Sequence, residues 1–323
     1  MTIAVAIVGL GIMGNRMLAS LEMHDGFRVA AAWDPNDDAR NKATLDFPEV
    51  VVVSGLMDAI EAADVDVVYI ACPPKAHAEY VSIAVRAGKS VYCEKPLGVD
   101  VAESAALVEL LASQGIINAV NFPFAANLQV DYLQAALNGG QLGEVLGVDL
   151  HLHFNPWPRD WQSAATWLTK RAEGGYLREV GSHFVFLTER LFGEATLVHS
   201  SVSYPDNDEA CESSFEAALD CSGVPVRMSG TSLGVGPDVV EFTIHGSHKS
   251  IRLSNWSEVY LSDGGPWARQ DIADADDRRA NNARFFSDLH DMFDGNPSGI
   301  ATFAEALSVQ RLIEVILSSG HGC

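Results

Sequence analysis

Three short stretches hold residue types that can polarise bonds, move protons or hold phosphate. VYCEKPLG (91–98) runs an apolar strand straight into Glu94, Lys95 and Pro96. Neighbouring side chains on a strand point to opposite sides, so Glu94 and Lys95 are badly placed to pair with each other. Lys95 is better explained as reaching into a cleft than as half of a solvated ion pair. EGGYLREVGSH (173–183) places Glu179 and His183 at i and i+4. On a helix that spacing puts both on one face, as a surface Glu–His pair or as an acid and a base that work together. GLGIMG (9–14) is a G-x-G-x-x-G, which in isolation is often only a turn.

The elements around these residues decide between the readings. Apolar, β-branched runs of strand length occur at 3–9, 27–33, 50–53, 67–72, 90–93 and 116–121, with helix-like stretches at roughly 14–24, 37–46, 56–63, 75–87 and 100–114 between them. Continuous apolar strands alternating with helices predict a doubly wound parallel sheet, the Rossmann arrangement. Ligands then bind outside the carboxyl ends of the strands. Strand one brings the glycine loop there, strand four ACPPKAH (71–77), and strand five Glu94 and Lys95.

In that setting the glycine loop matches a dinucleotide fingerprint: it follows a strand, opens a helix, and has Asp34 twenty residues beyond Gly14 at the end of strand two. Gly9 permits the tight turn, Gly11 lets the backbone approach a pyrophosphate at the helix N-terminus, and Gly14 allows close helix–strand packing. Asp34 either accepts hydrogen bonds from an adenosine ribose or caps the helix that follows. A methyltransferase could use a similar loop and acid, but would not need a Glu-Lys-Pro at the end of strand five.

Past residue 122 the texture changes. A helix is expected at about 126–138, then strands at 143–154, 196–203, 213–221, 224–232, 239–246, 250–254 and 258–262, many of them separated by Gly, Pro, Asp or Ser. Helices are expected at 175–191, 276–293 and 303–318. The reading is α/β: a Rossmann domain over 1–122, followed over 123–323 by an α+β domain with an open, mostly antiparallel sheet for substrate binding and oligomerisation. In the strand 143–154, Val148, Leu150, Leu152 and Phe154 alternate with Asp149, His151 and His153. The two histidines find no apparent third metal ligand, so no metal is expected.

The segments AIVGLGIMG, ACPPKAH, CEKPLG and EGGYLREVGSH together resemble the glucose–fructose oxidoreductase/inositol dehydrogenase/rhizopine-catabolism (Gfo/Idh/MocA) family, across nearly the whole chain. The resemblance implies a nicotinamide-binding Rossmann domain and an open-faced α/β domain. It also implies a Glu-Lys-Pro, often with a cis bond before the proline, whose lysine sits between nicotinamide and substrate. By that likeness Lys95 contacts the reacting hydroxyl, Glu94 contacts cofactor ribose or nicotinamide, and His77 supports the same turn. The family's Gly-Gly-Gly, Asp and His reappear here as Glu173-Gly174-Gly175, Glu179 and His183. Three positions depart from the pattern: Glu179 stands for Asp, Pro123 for a frequent arginine, and Pro74 for a frequent asparagine.

The resulting expectation is an NAD-dependent oxidoreductase of a sugar, sugar derivative or cyclitol. Lys95, His183 and Glu179 are the catalytic candidates. Candidate cofactor contacts are Gly9, Gly11, Ile12, Met13, Gly14, Asp34, Cys72, Pro73, His77, Glu94, Lys95 and Asn121. Trp161 and Arg159 of the tryptophan-rich segment NPWPRDWQSAATWL (155–168) join Lys95, Glu179 and His183 as substrate contacts, with loop packing as the alternative for the first two. Rival readings are a lyase or glycoside hydrolase that oxidises its substrate transiently, and a non-catalytic nucleotide-sensing regulator.

Composition narrows the setting. The 323 residues call for two domains, 48% hydrophobic content fits a globular chain, and a net charge of −22 disfavours nucleic acid and anionic lipid as partners. Five cysteines without a CxxC spacing suit a reducing cytosol. No signal peptide or spanning run is expected. An open second sheet predicts a homodimer or homotetramer through its outer face.

Overall fold

Polar residues are nearly absent from β1 (Ile3–Val8), β2 (Phe27–Trp33), β3 (Val67–Ile70), β4 (Ser90–Cys93) and β5 (Asn118–Val120), and these strands form a five-stranded parallel sheet of order β2-β1-β3-β4-β5. The computed structural model describes residues 2–62, 64–272 and 278–319; residues 63, 276 and 277 of the expected helices, and Cys323, lie outside these. Helices α1 (Ile12–Leu21), α2 (Asp37–Asp46), α3 (Leu56–Ile60), α4 (His77–Arg86) and α5 (Val101–Gln114) alternate with the strands. Every residue of β1 is buried, as expected where helices cover both faces.

The expected strand at 50–53 is corrected to an isolated bridge. Val52 pairs in parallel with Ala32 of β2, and the two supporting bonds run from Ala32 N–H to Val51 O (2.9 Å) and from Val53 N–H to Ala32 O (3.0 Å). The seven residues between Pro48 and α3 lie at the sheet edge and make one ladder step. The bridge still restores the outermost position of a doubly wound sheet.

The second sheet has eight strands: β6 (Val145–His153), β7 (Ala195–Ser203), β8 (Ser214–Cys221), β9 (Val224–Thr231), β10 (Val239–Gly246), β11 (Ser250–Ser254), β12 (Glu258–Ser262) and β13 (Ala268–Arg269), in the order β13-β12-β11-β10-β6-β9-β8-β7. All neighbours are antiparallel except β6 and β9. Strand β6 alternates as expected: Val148, Leu150 and Leu152 are buried, and His151 is exposed. Its inner face packs with Phe242 and Ile244 of β10 and Met228 of β9 in the core. The outer face is polar. Asp149 there accepts bonds from Arg227 (2.6 Å) and from His245 Nε2 (2.8 Å). The expected helices α6 (Leu128–Asn138), α7 (Ser182–Phe192), α8 (Arg278–Phe293) and α9 (Phe303–Ser318) are present.

The chain divides into two compact units, Met1–Ala126 with Asn282–Leu307, and Asn127–Asn281 with Ser308–Cys323. The sequence reading drew one boundary at 122/123 and left everything after it in the second domain. Most of α8 instead joins the first unit, because its apolar face completes that core. Phe286 meets Phe27 edge-on at 5.8 Å, Phe285 lies 6.3 Å from Tyr92, and Leu289 is 2% exposed.

Candidate active site

Backbone crowding explains the glycine loop after β1. Gly9 has φ +103°, which favours glycine, and a Cβ there would stand 2.7 Å from the Ala71 carbonyl. A Cβ on Gly14 would stand 1.9 Å from Gly9 O. Gly11 faces the opposite situation: nothing lies within 4 Å of where its Cβ would be. It is the N-cap of α1 and has no side-chain cap, so the first amides of the helix are open to an anion. Ile12 and Met13 are half-buried beside it.

Asp34 closes the loop from the end of β2. Its Oδ2 accepts Leu10 N–H at 2.7 Å and its Oδ1 accepts Asn36 N–H at 2.8 Å. Asn36, not Asp34, caps α2, accepting Asp38 N–H at 2.8 Å, which removes the capping alternative. Asn15 donates to Leu10 O at 2.7 Å and so ties the loop to α1; sequence reading passed over it because an asparagine on a helix carries no motif. An open glycine, an uncapped helix start and an acid locked beside them fit a dinucleotide.

The turns after β3 and β4 meet the same sheet edge. His77 is fully buried, with Nε2 2.9 Å from Cys72 O and Nδ1 3.2 Å from Leu97 O, so it ties the two turns together. Burial holds its pKa below the ordinary histidine value. The Cys72 thiol is pushed up to about 12, chiefly by burial, and so is no nucleophile. Pro73 is exposed and Pro74 buried. Glu94 is 5% exposed; its Oε1 accepts the Tyr69 hydroxyl and the Asn121 amide (2.7 Å). Asn121 and Glu94, both expected at the cofactor, are thus joined to each other through that oxygen. Tyr69 was missed, since an inward tyrosine on an apolar strand reads as core. Its hydroxyl is held well above the ordinary pKa by burial and by Glu94, and stays a donor. Lys95 is half-buried and precedes a cis bond to Pro96. Pro123 opens a short 3-10 turn, Pro123–Ala126.

In the second unit, Glu179 and His183 lie on a helix whose first turn is irregular. A regular helix over 175–191 was expected; the structure has a π turn at Leu177–Gly181 before α7. Gly175 at φ +98° blocks an earlier start, and Ser182 Oγ donates back to Arg178 O at 2.6 Å, a bond that competes with regular helical pairing. Gly174 and Gly175 are both required: a Cβ on Gly174 would stand 2.4 Å from Trp167 O, and one on Gly175 would stand 2.1 Å from Glu212 Oε2. Glu173 occupies a place where a side chain fits, 3.9 Å from the Lys170 ammonium.

His183 is 8% exposed and meets the Trp256 ring edge-on at 5.4 Å. Trp256 has φ +72° in the β11–β12 turn, a rare conformation for a bulky residue and one that often marks a functional surface. Glu179 accepts the Gln162 amide at 3.2 Å, and Gln162 in turn accepts Arg159 Nε at 2.9 Å. Gln162 is 2% exposed. It was missed because a lone glutamine in a loop looks like surface. Arg159 also lies 5.0 Å above the Trp161 ring and 5.3 Å above Phe154, and Trp161 is 47% exposed. Arg178, one residue before Glu179, is held by Glu314 (2.6 and 2.8 Å) and by the carbonyls of Arg171 and Gly174.

Residues 3–122 match the model of the oxidoreductase family with an NAD-binding Rossmann fold, and residues 130–252 match the GFO/IDH/MocA C-terminal domain. An inositol 2-dehydrogenase of Gluconacetobacter diazotrophicus is 32% identical over 46% of this chain and 45% of its own length. The dTDP-3,4-didehydro-2,6-dideoxy-alpha-D-glucose 3-reductase of Streptomyces violaceoruber is 28% identical over 67% of this chain and 64% of its own. The matches therefore span about half to two-thirds of these relatives. A 3-ketoreductase from Actinomadura kijaniata, solved with NADP and TDP-benzene, shares the fold, with a TM-score of 0.83 at 20% identity over 100% of this chain and 99% of that one.

Proposed function

Because the chain belongs to the Gfo/Idh/MocA oxidoreductase family, we propose that it is an NAD-dependent oxidoreductase acting on a hydroxyl- or carbonyl-bearing carbon of a sugar, sugar derivative or cyclitol. The observation that carries this reading is the phosphate loop, crowded at Gly9 and Gly14 but open at Gly11, on the sheet edge that also bears Lys95. Nicotinamide, when bound, gives or takes a hydride. Lys95 donates to the reacting oxygen and stabilises the charge that develops there. His183 takes the hydroxyl proton during oxidation, a role typically worth about 10²–10⁴-fold. Glu179 holds a neighbouring hydroxyl, with Gln162 fixing its carboxylate. Gly9, Gly11, Ile12, Met13 and Gly14 would hold the pyrophosphate and Asp34 the adenosine ribose. Cys72, Pro73, Glu94 and Asn121 would hold the nicotinamide side, and His77 lies between the turns that carry Cys72 and Leu97. Trp161 offers a ring to the apolar face of a sugar, and Arg159 a cation beside it.

The reading prefers NAD to NADP. Asp34 is pinned by two backbone amides, and Arg40 is committed to Asp34 O and Asp37, so neither is arranged to receive a 2′-phosphate. Two like charges about 4 Å apart at an effective dielectric of about 20 repel by about 4 kcal/mol, an upper bound here. A screen of NAD and NADP reduction across aldoses, cyclitols, uronic acids and anhydrosugars should give net NADH with one class, and at least about tenfold lower kcat/KM with NADP. Equal use of NADP contradicts the cofactor assignment; tightly held NAD with product but no net NADH contradicts the net oxidoreductase assignment.

The chain is read as cytosolic, and among the described residues no helix is long and apolar enough to cross a membrane. We assign its assembly to a homodimer or homotetramer through the polar outer face of the second sheet, where His151, Asp149 and Arg227 stand. Light scattering should give two or four chains at assay concentration; a fully active dilute monomer contradicts it.

A further inference from the structure

The turn that presents Glu179 and His183 rests on a carboxylate that belongs to neither the loop nor the helix. Glu212, just ahead of β8, is 2% exposed, and its Oε1 accepts Leu177 N–H at 2.7 Å, the first amide of the π turn. Its Oε2 occupies the space that a side chain on Gly175 would need, at 2.1 Å from the Cβ position. Gly175 is held from the other side by its own N–H on Leu168 O at 2.9 Å, and its carbonyl accepts Glu179 N–H at 3.0 Å. A continuous path therefore runs from the Glu212 carboxylate through Gly175 and Leu177 to the backbone of Glu179, one helical turn before His183.

We propose that Glu212 is the positioning residue of the candidate catalytic turn, anchoring Leu177 and fixing Gly175 so that Glu179 and His183 are presented in one arrangement. This rests on the assignment of that turn to catalysis. A glycine at 175 is then explained by the acid it lies on, and the first amide of the π turn is satisfied by the same carboxylate. Misplacement of reacting groups by about 1 Å can cost about 10²-fold, so an anchor of this kind is a rate determinant without touching substrate.

Charge around Glu212 supports an anchor that titrates. Arg178, with Glu314 of α9 behind it, faces it together with Tyr176, Cys211 and Tyr204, and Arg171 lies on the Tyr204 ring. Burial raises the Glu212 pKa to about 7, against the amide of Leu177 and the Arg178 cation, which lower it. Folded and unfolded chains both hold the proton below the unfolded value of 4.5, so the associated stability is fully present there. It is lost as pH rises toward about 7, where the folded chain ionises last.

Three variants of the full chain test this: Glu212→Gln, Glu212→Leu and, as a reference, His183→Ala. Glutamine keeps an acceptor for Leu177; leucine removes it. With native-like circular dichroism, Glu212→Leu should lower kcat by about 10- to 100-fold with NAD affinity within about twofold, and Glu212→Gln should recover most of the loss. Independently of activity, the melting temperature of Glu212→Gln relative to wild type should rise from about pH 5 to about pH 8. Wild-type kcat in a folded Glu212→Leu, beside an impaired His183→Ala, overturns the proposal while sparing the catalytic reading. Wild-type kcat in His183→Ala overturns the catalytic reading itself. If Glu212→Leu does not fold, Glu212→Asp, which draws the acceptor back by one methylene, decides: wild-type kcat in a folded Glu212→Asp overturns the proposal, and a flat melting offset overturns the titration of the anchor.

Discussion

His183→Ala and Lys95→Ala are each expected to lower kcat by at least about 10²-fold, with NAD affinity nearly unchanged in the histidine variant. Both groups are assigned interactions that strengthen as the hydride moves: a proton taken from the hydroxyl, and a cation against the oxygen that becomes negative. Losing such an interaction costs turnover more than ground-state binding. Burial of His183 at 8% exposure, against the Trp256 ring, limits its contact with water. Lys95 follows a buried strand and precedes a buried proline, which restricts where its backbone can go. Steady-state kinetics on the substrate class found by the screen, with NAD titrated separately by calorimetry, check both variants. A loss confined to KM in either would move that residue from the chemistry to binding.

Gly14→Ala should weaken NAD binding by at least about 10²-fold, or about 2.7 kcal/mol. The new Cβ would stand 1.9 Å from Gly9 O and 2.9 Å from Gly9 C, and the carbonyl it meets is part of the loop itself. Either α1 moves off the sheet or the turn at Gly9 opens, and each displaces the amides assigned to the phosphate. Gly11→Ala is the informative partner. Its Cβ meets nothing within 4 Å, so the fold and melting temperature should survive. Affinity should nonetheless fall, because the methyl group stands where a pyrophosphate would approach the backbone. Calorimetric titration of both variants checks this. Wild-type affinity in Gly14→Ala would mean that the loop is not the phosphate site.

Legibility in the sequence followed the range of the forces involved. The glycine loop with Asp34 carries a fixed spacing and β6 a strict alternation, so both patterns were readable although their contacts, Gly9 with Ala71 and Asp34 with Leu10, are distant along the chain. The apolar face of α8 says that it packs, not on what; Phe285 and Phe286 find Tyr92 and Phe27 after a return of more than 190 residues along the chain. The run at 50–53 had strand composition, but it lies at the sheet edge and makes a single bridge. Polar partners were the least legible part of the site. Gln162, Tyr69 and Glu212 have unremarkable neighbours in sequence, and only the fold brings them to Glu179, Glu94 and Leu177. The π turn was invisible for the same reason, since the acceptor of its first amide, Glu212, arrives thirty-five residues after Leu177.

The pH dependence of kcat/KM for oxidation, in wild type and His183→Ala with the best substrate, tests the assignment of the base most directly. Histidine accepts a proton only when neutral, and an ordinary histidine titrates at about pH 6.5. The wild-type profile should therefore rise from acid toward neutral or alkaline pH, and the rise assigned to His183 should be absent from the alanine variant, whose rate is lower throughout. Near-wild-type turnover in His183→Ala with the same pH dependence would contradict the account and place the base elsewhere.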